Sequence, residues 1–343
     1  MTGKYTFLAV TVLAATAACA QSSGPSFVSV RSADEAAARD TTARRSHGQR
    51  SNSPAARVLG NEAFAVRGHA GTQAASAGSG AGGGALRFPG DLSFGGGPVV
   101  TFAQSHAIYL NPVSQFFPNG SCTVASCWGD PEGFLRDLGQ SDFIHITDQY
   151  VNQKADNRYT VGKSATINYV QGFAAFSDND ILAQVHAVAA FTGQAGYGHI
   201  YHVFLPPGQD VCQTAGICAS NAICAYHGSA DFFDIGHVLY SVEPDQIGFG
   251  CGLPPGTPNG TRIDSTNNVL SHELFEIITD PDFNAWFNTA TLDQLGEEIG
   301  DECEFLNAAF SFDVPTFKIG SKLYAVQSEY DNKQHGCATK SAN

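Results

Sequence analysis

Between Ser265 and Ile278 the chain reads as a helix whose core face carries Leu274, Ile277 and Ile278, and whose other positions carry His272, Glu273 and Glu276. Asp264 or Ser265 is the expected cap, and Asp280-Pro281 ends the segment. Residues four apart share one helical face with a rise of about 6 Å, so His272 and Glu276 can reach one point in space. An imidazole and a carboxylate so placed suit a metal ion, and Glu273 would then face the water beside it, where a general base belongs. A fold built on this helix must bury its apolar stripe and still bring other donors to the opposite side.

The N-terminus reads as an export signal. Lys4 precedes an apolar run from Tyr5 to Ala15, followed by Ala18-Cys19-Ala20, so residues 1–20 fit a signal peptide too short to span a bilayer. Thr16-Ala17-Ala18-Cys19 also resembles a lipoprotein box, but an aliphatic residue usually stands where Thr16 does, and anchoring through Cys19 is the lesser alternative. Residues 21–95 are rich in Ala, Gly, Ser and Arg with few aromatics. They read as a disordered linker, or as a propeptide with Arg44-Arg45 as processing site. Residues 96–343 are long enough for one sizeable domain.

Charge separates these parts. Nine of the 18 Lys and Arg but only five of the 32 Asp and Glu fall in residues 1–95, which leaves the remainder near −18. Such a surface repels nucleic acid and anionic membranes, and no later apolar stretch reaches membrane length. Secretion is the expected localisation, with an extracellular peptide or cell-wall substrate as partner; oligomeric state is left open. Apart from Cys19, eight cysteines remain, an even number that suits disulfides in an exported chain. Among the 105 connectivities open to eight thiols, we take Cys122–Cys127, Cys212–Cys218, Cys224–Cys251 and Cys303–Cys337 as the working set.

Coarse element reading gives strands at 98–102 and 106–110, a helix over 131–150 broken at Gly139, and strand over 159–170. A second helix follows over 181–191, capped by Asp178-Asn179-Asp180. Strands at 199–205, 223–227 and 237–242 come next, with a loop over 228–234, then the His272 helix and a hairpin over 318–326. This order suits an α+β, zincin-like fold: a disulfide-stabilised mixed sheet against a backing helix and an active-site helix.

Several segments in sequence resemble secreted microbial relatives of the exordium, or phosphate-induced protein 1, family of plants. They are Cys224-Ala225-Tyr226-His227, Ser271 to Pro281, Ala285-Trp286, Glu298-Ile299-Gly300-Asp301-Glu302-Cys303, and Val326 to Asn332 before Cys337. The likeness spans about Gly96 to Cys337. It implies a secreted domain, with plant members linked to growth and the cell wall, and it supplies no reaction. It also favours Glu298 and Asp301 as the carboxylates that complete the His272 site, with Glu297 exposed.

A catalytic zinc needs three protein ligands and one open position. His272 and Glu276 give two, and Glu298 or Asp301, 26 and 29 positions beyond His272, gives the third. That set is oxygen-rich, so manganese, iron or calcium stays open beside zinc. His227 is the best further candidate, as ligand or oxyanion stabiliser. The expected function is a metal-dependent hydrolase, a peptidase in which Glu273 deprotonates water. The alternative is a non-catalytic extracellular protein of exordium type that uses the same carboxylates for a structural ion or a wall polymer. A metzincin is excluded because Met1 is the sole methionine, and no nucleophile elbow or phosphate loop stands out. A glycosidase-like carboxylate pair would leave His272 without a role.

Overall fold

The computed structural model describes residues 91–113, 122–154, 156–170, 174–288, 298–304 and 314–342. The signal peptide, the linker over residues 21–90 and the expectation for Glu297 lie outside them. Folded chain is present by Asp91, a few residues before the expected boundary at 96, since Leu92 is buried and Ser93–Phe94 forms a strand.

The strands are β1 (Ser93–Phe94), β2 (Ala103–Val113), β3 (Tyr159–Val161), β4 (Ala165–Val170), β5 (Phe176–Ser177), β6 (His199–Phe204), β7 (Val211–Thr214) and β8 (Ile217–Cys218). After them come β9 (Tyr226–Phe232), β10 (Gly236–Glu243), β11 (Trp286–Phe287), β12 (Thr316–Ile319), β13 (Lys322–Ala325), β14 (Glu329–Asp331) and β15 (Gly336–Ala338). The main sheet has the order β3-β2-β6-β10-β9, and β4 continues the pairing on the β3 side of β2. All these pairs are parallel except β10–β9, so β9 is an antiparallel edge.

Near-continuous apolar strands such as Ile200 to Leu205 are what a sheet covered on both faces requires. Strand alternation sorts the side chains. Ala107, Tyr109, Ile200, Phe204 and Leu239 enter one core with Leu270, Leu274, Phe275, Ile277 and Ile278 of the central helix, Thr261–Thr279. The helix Pro131–Leu138 joins that core through Phe134, Leu135 and Leu138. Ile108, Leu110, Tyr201, Val203, Val238 and Tyr240 enter the other core, closed by Ile181, Leu182, Val185 and Ala189 of the outer helix, Asp178–Thr192.

Four local expectations change, the first at the central helix, which starts at Thr261 after Gly260 with no side-chain cap, so that Asp264 lies in its first turn instead of capping it. Residues 98–102 form no strand: Val100 is fully buried and its N–H donates to Ile278 O at 2.9 Å, so this apolar run plugs the end of the central helix. The expected loop over 228–234 is mostly strand, because β9 pairs with β10 from Tyr226↔Val242 to Phe232↔Gly236. Its small residues hide that strand; a Cβ at Gly228 would stand 2.8 Å from Tyr240 Oη, so the packing requires glycine there. Finally, Ser177 caps the outer helix in a capping box with Asp180, while Asp178 accepts hydrogen bonds from Tyr240 Oη at 2.7 Å and Tyr226 Oη at 3.2 Å.

All four working cysteine pairs come together as disulfides. Cys224–Cys251 fastens the start of β9 to the turn that precedes the central helix, and Cys303–Cys337 fastens the Glu298–Glu304 segment to β15. Cross-links closing loops of this size contribute about 3–4 kcal/mol. A Cys224→Ser/Cys251→Ser double variant should lose about that much in chemical denaturation; an unchanged midpoint would show that the bridge holds nothing the sheet does not already hold.

The β9–β10 hairpin is tied to the turn after the central helix by His237. Its Nδ1 lies 2.8 Å from Asp231 Oδ1 and its Nε2 3.2 Å from Asp282 Oδ1, while Tyr197 stacks on the ring and donates its hydroxyl to Asp282. Burial alone would lower this imidazole, but the two carboxylates outweigh it and raise it to about 9. Because the unfolded ring titrates near 6.5, the stabilisation is complete below that pH and fades as pH rises through about 9. Thermal unfolding followed from pH 6.5 to 10 should therefore fall more steeply for the native chain than for His237→Gln, and parallel curves would contradict this.

Candidate functional site: a buried carboxylate and imidazole cluster

Parity along the two outermost strands creates the site. Tyr226, Ala230, Val238, Tyr240 and Val242 face the outer helix. The alternate residues His227, Ser229, Ser241 and Glu243, all buried, face the opposite way, toward the central helix. Where that helix crosses β9 and β10 it presents His272, Glu273 and Glu276, each about 1% exposed. The apolar stripe two residues further on packs elsewhere in the core, so helical period and strand alternation meet at a polar seam.

The distances describe one continuous chain of groups. His272 Nε2 lies 3.0 Å from Glu276 Oε1 and 3.5 Å from Asp301 Oδ1. The other oxygen of Glu276 lies 3.3 Å from His227 Nδ1, which is also 3.2 Å from Glu273 Oε2. His227 Nε2 is 3.8 Å from Glu298 Oε1. Two sets of donor atoms, His272–Glu276–Asp301 and His227–Glu273–Glu276, each lie within 4.8 Å of one another.

All six residues expected from sequence thus converge, but with a division of labour. Asp301 accompanies His272 and Glu276, whereas Glu298 stands on the His227 side. Glu273 pairs with His227 in the interior. Asp301 also accepts a hydrogen bond from Glu298 N at 3.1 Å, which makes it the cap of its own short turn.

Two acidic residues escaped the sequence reading. Glu243 at the end of β10 accepts from Ser241 Oγ at 2.8 Å, in a chain that runs on to His202 at 2.7 Å and from it to Ser105 at 3.1 Å. Its Oε2 has no hydrogen-bond partner among the described residues. Glu329 on β14 is fully buried, and neither of its carboxylate oxygens has such a partner among the described residues. Glu243 had a signal in the sequence: a charged residue on the same parity as Ser241 in an otherwise apolar strand. Glu329 had none beyond its place in the closing segment Val326 to Asn332.

Electrostatics follow from burial. Desolvation pushes Glu329, Glu243 and Glu273 up from the usual carboxylate range, and neighbouring carboxylates push them further. Burial would also raise Glu276, but the imidazoles on both its sides prevail and lower it to about 2. Desolvation would lower both histidines; the surrounding carboxylates reverse this, taking His227 to about 9 and His272 well above its ordinary value. The cluster is an excess of acid held in the dark, and it behaves electrostatically as a place for positive charge.

Backbone around the cluster is fastened tightly. Asp280 accepts from Asn284 N and Ala285 N, both at 2.6 Å, closing the turn after the central helix. Within that turn Phe283 takes a left-handed φ of 56° and stacks its ring on His227 at 4.7 Å; such strain persists only where surroundings enforce it. Tyr330 N donates to Ile299 O and Gln327 Nε2 to Gly300 O, so β14 and the residues before it press the Glu298–Asp301 turn onto His272.

Gly300 is there for space, since a Cβ would stand 2.5 Å from His272 Nδ1 and 2.8 Å from its Cε1. Gly300→Ala must displace a fully packed ring and should cost about 1–3 kcal/mol in chemical denaturation; a midpoint equal to the native one would mean that the imidazole is not locked.

Comparison with protein-family models, with curated proteins and with solved structures found no match for this chain.

Proposed function

We propose that the protein is an extracellular metal-dependent hydrolase acting on peptide bonds, with its ion held by His272, Glu276 and Asp301. The observation that carries this reading is the His272–Glu276–Asp301 set, three buried donors within 4.8 Å of one another. One nitrogen and two carboxylates fit zinc and equally suit manganese or iron. Bound there, an ion would supply Lewis-acid polarisation of a carbonyl and a lowered pKa for water.

The chain's own residues do the rest. Glu273, adjacent to the ligand pair on the same helix, accepts the proton of the attacking water, and His227 at 3.2 Å orients its carboxylate. Phe283, stacked on His227, keeps bulk water from that imidazole. Glu298, on the other nitrogen of His227, is a positioning residue. β9 is the outer strand of the sheet and carries His227, so an extended peptide adding to that edge would run beside the site. A mixed sheet with a helix bearing His-Glu-x-x-Glu and the Pro131–Leu138 helix on one face is also what a zincin-like domain requires. Four disulfides, and no helix among the described residues long and apolar enough to cross a membrane, are compatible with an extracellular setting.

A second reading, a structural ion in a non-catalytic protein, is favoured by one observation: the donors are at most 2% exposed. Metal content and turnover of a peptide library by the purified protein separate the two. Glu273→Gln should keep an ion at His272 and lose about 10²–10⁴ in hydrolysis, while His272→Ala should lose that ion. Stability that falls on chelation with no turnover from the native protein would replace the hydrolase with the structural reading. Metal-free protein of unchanged stability would sink both.

A further inference from the structure

We propose that the cluster is built for two cations bridged by Glu276. This rests on the single-ion reading above for its first position and adds a second, made of His227, Glu273 and the other oxygen of Glu276.

The geometry is that of two half-sites sharing one residue. Glu276 Oε1 is turned to His272 Nε2 at 3.0 Å and Oε2 to His227 Nδ1 at 3.3 Å, so the two oxygens of one carboxylate serve different imidazoles. Each half-site then has its own remaining carboxylate, Asp301 on one side and Glu273 on the other, and each trio of donors closes within 4.8 Å. A bridging carboxylate flanked by two imidazoles and further carboxylates is the donor composition of dinuclear carboxylate centres. Paired ions in such centres stand about 3.5–4 Å apart.

An independent observation points the same way. Two buried glutamates, Glu243 and Glu329, stand beside the cluster with oxygen to spare. Glu329 feels His272, Glu276, Asp301 and Glu273, and both its oxygens lack a hydrogen-bond partner among the described residues. Glu243 acts on Glu273, His272 and His227, and its Oε2 likewise has none among them. Buried carboxylates without partners are costly unless they meet a cation or a proton. Two imidazoles, even both protonated, bring two positive charges against the six buried carboxylates Glu243, Glu273, Glu276, Glu298, Asp301 and Glu329. One divalent ion beside neutral imidazoles offsets two of the six, and a pair of divalent ions offsets four. With the second ion present Glu273 is a ligand and no longer a free proton acceptor, so the doubly loaded protein should be the less active form.

Manganese(II) alone is the probe. The full-length exported chain is stripped with chelator, loaded with Mn²⁺ and freed of excess by gel filtration. Its metal content is then measured by mass spectrometry and its spin state by electron paramagnetic resonance. Two equivalents per chain with an exchange-coupled signal are expected. His227→Ala should fall from two equivalents to one and recover the six-line spectrum of an isolated ion. Asp301→Asn should also fall to one, and Glu276→Gln should lose the coupling. Circular dichroism of each variant checks that it is folded, and Asp234→Asn, a carboxylate paired with His186 outside the cluster, should keep two equivalents. One equivalent in the native chain, with the isolated six-line spectrum, would overturn the paired site and leave the single-ion reading intact. A chain that retains no manganese would likewise overturn the paired site.

Discussion

The central helix is buried along nearly its whole length from Asp264 to Thr279, and that burial carries His272, Glu273 and Glu276 inside together with its leucines and isoleucines. Removing a carboxylate from water without a counter-charge costs several kcal/mol. Every element around the helix is arranged about this constraint. β9 and β10 turn polar residues toward it, the turn after it is strained to stack Phe283 on His227, and β14 brings in the Glu298–Asp301 segment from far along the chain. A helix serving packing alone would carry apolar side chains at these positions and would be more stable for it.

Two disulfides act at the margins of the same seam. Cys224–Cys251 closes the sheet edge onto the approach to the helix, and Cys303–Cys337 holds the downstream segment against β15. Acidic groups that repel one another are thereby kept adjacent by covalent links as well as by packing. This is the pattern expected where function and stability compete, with rigidity supplied next to a site that would otherwise open.

Much of this was legible in the sequence, for physical reasons that differ by residue. His272, Glu273 and Glu276 declare themselves through helical spacing, and Ile277 and Ile278 through the core face beside them. The order of strands and helices survived because the apolar runs of β2, β6 and β10 have no competing reading. Position in space was less legible. His227 could be named only from a short motif, because the pairing that turns it inward depends on β10. Glu243 and Glu329 are ordinary glutamates until tertiary structure buries them, and no local propensity records that. The strand over 228–232 was hidden by Gly228, Ser229 and Ala230, small residues of low strand propensity, of which Gly228 leaves room for the Tyr240 ring. Residues 98–102 erred in the opposite sense: their strand-like composition serves a buried plug.

The central claim is that this buried acid cluster exists to hold positive charge supplied by metal. Anomalous diffraction at a metal absorption edge, from crystals of the loaded protein, tests it most directly. The account predicts anomalous density between His272 Nε2 and Glu276 Oε1, with Asp301 completing the shell. Crystals that bind the ion only at the surface, with Glu276 still in contact with both imidazoles across an ion-free interior, would contradict it.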